Sequence, residues 1–122
     1  MSMNKHEDQA VARPKEAKQR FEKDARREGS FAGRRWVDNH AQFEQADRLL
    51  EGDALPKTHE ELTAFLRDGG NGVTTEQVAP GVDRRILASD LFVEAFVEAA
   101  IDALVDEIFE AAENDRDKAD SE

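Results

Sequence analysis

His59-Glu60-Glu61-Leu62-Thr63 opens like a zinc-protease helix, in which two histidines four residues apart hold the metal and the glutamate activates water. Thr63 stands where the second histidine is required, so a metal there would lack a ligand. His6 and His40 have no partner at ligand spacing, and the Glu-x-x-His pairs of a di-iron bundle are missing. Gly69-Gly70-Asn71-Gly72 followed by Thr74-Thr75 has the look of a phosphate loop. It follows a helix rather than a strand, however, and carries no lysine at the position a P-loop needs, so it reads as a linker or helix cap. None of Ser30, Ser89 or Ser121 lies in a nucleophile elbow. With no cysteine, the chain can form no disulfide, thiolate nucleophile or Cys-ligated metal centre. Carboxylates number 28, too many for any one pair to be informative, and no segment has the ligand spacing of an EF-hand loop. The expectation is a protein without catalysis, cofactor or metal site.

Charge is the more specific signal. The 122 residues carry a net −11, divided unevenly. Residues 1–35 hold ten basic and six acidic side chains, a net of +4, whereas residues 36–122 hold seven and 22, a net of −15. A basic arm is joined to an acidic body. Ile, Leu, Val and Phe number 26 of 122. That share is just above the roughly 20% below which a highly charged chain is expected to stay disordered, so a core is possible but thin. Residues 1–10 hold no apolar run and no later segment resembles an uncharged membrane span, which makes a cytoplasmic protein the expectation.

The elements that must position these charges are helical. No stretch alternates apolar and polar residues as a strand would, and the expected class is an all-α bundle of three or four helices. Two long helices are predicted over about 14–50 and 85–113, with a short capped helix between them. The domain spans 14–114, flanked by a disordered N-terminus over 1–13 and a disordered acidic tail over 115–122. In the first helix Ala25, Gly29, Ala32, Trp36, Asn39, Phe43, Ala46 and Leu50 recur in steps of four and three. Gly29 and Gly33 each disfavour a helix interior by roughly 1 kcal/mol, so the run can instead break near residues 27–30, with Ser30 as a cap. Thr58 three residues before Glu61 marks a helix over 59–68, and Thr74 before Gln77 marks a further short turn. In the last helix Val93, Val97, Ala100, Leu104, Ile108 and Ala111 form an apolar stripe flanked by Phe96 and Ile101.

Three interaction readings follow. The first places the function on Glu94, Glu98, Asp102, Asp106 and Glu110, four residues apart along the last helix. The acidic row would occupy the basic groove of a nucleic-acid-handling protein, making the chain a small regulator or inhibitor of the nucleic-acid-mimic type. The second takes the seam residues Trp36, Asn39, Phe43 and Leu50 as a helical homodimer or assembly surface, with Asn39 setting register. The same stripe could equally pack within its own chain. The third gives the arm, where Arg13, Lys15, Lys18, Arg20, Lys23, Arg26, Arg27, Arg34 and Arg35 cluster, a weak affinity for nucleic acid. The interspersed Glu16, Glu22, Asp24 and Glu28 and the acidic body oppose that. No membrane partner is expected.

Overall fold

A parallel pair of long helices organises the chain. The computed structural model describes residues 2–68 and 72–120, with side-chain surroundings for 14–68 and 72–111. Its elements are α1 (Ser2–Asn39), α2 (Phe43–Glu51), α3 (His59–Arg67), α4 (Thr75–Val78), α5 (Arg84–Leu87) and α6 (Asp90–Asp120). No strand occurs among the described residues, as an all-α chain requires. A Cβ on Gly29 would meet Phe92 and Ala95 of α6, and one on Gly33 would meet Phe96 and Ala100. The contacts advance together along both helices, so α1 and α6 run side by side in the same direction. Two parallel helices need a return connection as long as themselves, and α2 to α5 supply it, with α2, α3 and α5 packing on α6 and α4 and α5 on α1.

The first long helix differs from its expected span of 14–50. Its backbone starts at Ser2, places Pro14 inside the helix, and stops at Asn39. The chain then turns through His40 to Gln42 and restarts as α2, where Gln45 Oε1 accepts from the Gln42 N–H at 3.2 Å. Gly52, at φ 71°, ends α2 in the left-handed conformation that glycine adopts without cost. The last helix is expected over 85–113, but Arg84–Leu87 forms the separate turn α5, ended at Ala88, and α6 starts at Asp90 and reaches Asp120. The side chains of 1–13 and 112–122, and with them the expected unanchored ends, lie outside the described residues, as do Gly69, Gly70 and Asn71.

The expected break at 27–30 is absent: α1 is continuous, and Ser30 lies within it. The two glycines are there for another reason. A Cβ at Gly29 would overlap the Phe92 carbonyl oxygen and one at Gly33 the Phe96 carbonyl oxygen, because the helix backbones touch. Missing side chains let the axes close, which offsets the poor helix propensity of glycine.

Trp36 is the centre of the core. Fully buried, it lies 5.6 Å from the Phe65 ring of α3 and 5.9 Å from the Phe96 ring of α6, in tilted arrangements favoured between aromatic quadrupoles. Leu49, Leu62, Leu66, Val78, Phe92 and Val93 complete it. The short helices are tied in by single polar contacts. Gln45 Nε2 donates to the Phe65 carbonyl at 2.7 Å, and the Arg35 guanidinium donates to the Val78 carbonyl at 3.4 Å. Thr58 caps α3 by accepting from the Glu61 N–H, and Thr74 with Gln77 forms a reciprocal box at α4, both as their spacing predicts.

Candidate interaction surface

The five acids picked out on α6, Glu94, Glu98, Asp102, Asp106 and Glu110, are all exposed. Their placement follows from the opposite, apolar stripe, because Val93, Val97, Ala100 and Leu104 are buried against the rest of the bundle. A step of four residues overshoots one helical turn, so the row winds rather than running straight. At its start Asp90, Glu94 and Glu98 border a cleft of about 440 Å³ whose apolar floor is Val97, Leu55 and Pro56, with Lys57 at the edge. Further along, Glu98 and Asp102 share a shallow concavity with Arg27 and Arg34 of α1. Asp106, Glu107 and Glu110 share another with Arg34 and Asp38. No ion pair engages any of the five acids among the described residues, where the pairs are Lys18–Glu22, Arg27 with Asp24 and Glu28, and Arg85–Asp83.

The seam residues separate. Ala25, Gly29, Ala32 and Trp36 are buried within the chain, so the intramolecular stripe holds that far. At Asn39 it stops: the side chain is exposed and donates to the Arg35 carbonyl one turn back at 3.1 Å. After the turn the phase changes, and α2 buries Gln45 and Leu49 in place of Phe43 and Leu50. Phe43 is 81% exposed and Leu50 39%. Trp36, enclosed by its own chain, offers no surface to another.

The zinc-like pentapeptide has a structural use. One His59 ring nitrogen lies 2.9 Å from the Leu87 carbonyl, tying the start of α3 to the end of α5, and Thr63 Oγ1 donates back to the His59 carbonyl. Among the described residues no group of three or more His, Asp or Glu is placed to hold a metal ion. No helix among them is long and apolar enough to cross a membrane. The cleft wall formed by Leu55, Pro56 and Lys57 escapes sequence reading. Its one signal is an apolar Leu-Pro pair inside a loop, which gives no hint of what it faces. A second concavity, of about 430 Å³, shares Leu55, Pro56 and Lys57 with the first and is lined also by Arg48, Glu61, Phe65 and Asp68. There the Arg48 guanidinium stacks 5.4 Å from the Phe65 ring.

No protein-family model matches the chain, and no curated protein or solved structure shows significant similarity to it.

Proposed function

We propose that the chain is a non-catalytic interaction module, a small regulator or inhibitor that binds a basic, nucleic-acid-handling protein through the acidic row of α6. The reading is carried by one observation: Glu94, Glu98, Asp102, Asp106 and Glu110 are exposed and form no ion pair among the described residues. Carboxylates four residues apart on a helix are separated by about 6 Å, close to the spacing of phosphates along a nucleic acid strand, and a basic groove built for phosphates would meet them favourably. The cleft beside Glu94 and Glu98 adds an apolar floor for the aliphatic stem of an arginine or lysine whose charged head reaches the rim.

The test is capture of partners on the immobilised chain from its native lysate, at low and high salt, with nuclease present, alongside a Glu94→Lys, Glu98→Lys, Asp102→Lys variant. A basic nucleic-acid-binding protein that survives nuclease, leaves as salt rises and is missing from the variant supports the proposal. If every captured protein binds the variant equally well, the acidic row is only a solvated face. A second reading, assembly through the seam, draws support from exposed Phe43 and Leu50 on α2. It requires Phe43→Ser to lower the mass of a complex that charge reversal on α6 leaves intact.

A further inference from the structure

Helices α1 and α6 each run on past the region in which they cover one another, and they do so at opposite ends of the molecule. On α1 the residues Ala17, Phe21, Ala25, Gly29 and Gly33 form one ridge with a spacing of four. Its C-terminal part, Ala25, Gly29 and Gly33, is buried, the glycines directly against α6. Its N-terminal part is uncovered: every side chain over 14–24 is exposed or half-buried, and Phe21 is 37% exposed. On α6 the matching ridge is Phe92, Phe96, Ala100, Leu104 and Ile108. The first four are buried, whereas Ile108 is 55% exposed and its neighbours Val105 and Phe109 are 37% and 65% exposed. An uncovered helical extension of this length is marginal in water without tertiary contacts.

The two extensions are opposite in charge. Residues 13–27 hold seven bases against three acids, and residues 102–115 hold six acids and no base. Lys15, Arg20 and Lys23 are exposed and make no ion pair among the described residues, and neither do Asp106, Glu107 or Glu110. Within one chain the extensions cannot meet, because parallel packing sends them to opposite ends. We propose that they meet between two copies: the basic arm of α1 in one copy packs along the acidic extension of α6 in the second, with Phe21 against Ile108 and Phe109. Two copies laid antiparallel make this contact twice, which closes the assembly as a dimer and leaves neither extension uncovered. The acidic extension shares Asp102, Asp106 and Glu110 with the acidic row, so the two proposals are told apart by the arm, whose charge reversal abolishes the dimer without touching the row.

Sedimentation of the full chain tests it, reading the 13.7 kDa monomer against twice that mass at low and high salt. An arm variant, Lys15→Glu, Lys18→Glu, Arg20→Glu, and an α6 variant, Asp106→Lys, Glu107→Lys, Glu110→Lys, are compared alone and mixed. The expected result is a low-salt dimer of the unaltered chain, loss of the dimer in each variant alone, and its return in the equimolar mixture, where every contact again joins opposite charges. All six positions lie on exposed surface, and unchanged helical circular dichroism shows that the fold survives. A chain monomeric at low salt up to the highest soluble concentration overturns the proposal, as does a dimer that persists in both variants. Failure of the mixture to re-form the dimer overturns it too.

Discussion

Gly33 shows how little a single residue's local preference says about its use. Isolated from its neighbour it weakens α1, yet the space above its Cα is filled by the Phe96 carbonyl and the Ala100 N–H region of α6. Gly33→Ala recovers roughly 1 kcal/mol of helix propensity, and the added methyl then forces two backbones apart, at about 1–3 kcal/mol for an overpacked contact. The variant is expected to be less stable overall and Gly33→Leu markedly so. Urea unfolding followed by Trp36 fluorescence reads this as a lower midpoint, and an alanine variant more stable than the parent would mean that the helices are not in contact there. Trp36 itself is a compromise: its indole fills the centre of the core, while its Nε1–H is buried without a hydrogen-bond partner. That omission carries a desolvation cost, tolerated because the ring meets two phenyl rings at once.

At the level of elements, the turn at 40–42 matters more than any one contact. A continuous helix over 14–50 would keep Asn39, Phe43 and Leu50 in line with Trp36. The turn rotates α2 so that Gln45 and Leu49 face inward instead. Asn39 is thereby left at the end of α1, exposed and bonded only to its own helix. Asn39→Leu is accordingly expected to change thermal stability by no more than about 0.5 kcal/mol, the range of ordinary surface substitutions, and to leave the oligomeric mass unaltered. Thermal unfolding with sedimentation checks both. A large stabilisation or a new mass would restore Asn39 to a helix seam. The short helices α3 and α4, in contrast, are readable from sequence, because Thr58 accepting from Glu61 N–H and the reciprocal Thr74–Gln77 box are closed within a single turn, although Glu61 itself accepts from Lys57 N–H rather than completing a box.

Across the whole molecule charge is unbalanced, and among the described residues little of it is paired. Among the described residues the four ion pairs lie at the surface and join residues at most four apart, so each contributes little to stability. A net charge of −11 meanwhile favours expansion through self-repulsion. Salt shortens the reach of exposed charges to about 10 Å at 0.1 M, which weakens the long-range repulsion more than contacts within one turn. The melting temperature is expected to rise with sodium chloride when measured dilute enough for the chain to be monomeric. A fall would mean that attraction between the basic arm and the acidic body dominates.

By itself the sequence determined the class, the capped starts of α3 and α4, the buried stripe of α6 from Val93 to Leu104, and the outward acidic row. Each rests on periodicity or on hydrogen bonds closed within a few residues. Glu94, Glu98, Asp102, Asp106 and Glu110 were legible because acids opposite an apolar stripe have only solvent to face. Only the tertiary structure decided that Gly29 and Gly33 are contact points and not hinges, that Trp36 belongs to its own core, and that Leu55 and Pro56 wall a cleft beside the acids. It also decided that the basic and acidic extensions leave the molecule at opposite ends. These depend on which helix lies beside which and in what direction, and a residue spacing along one chain is the same whether its neighbour runs parallel or antiparallel to it.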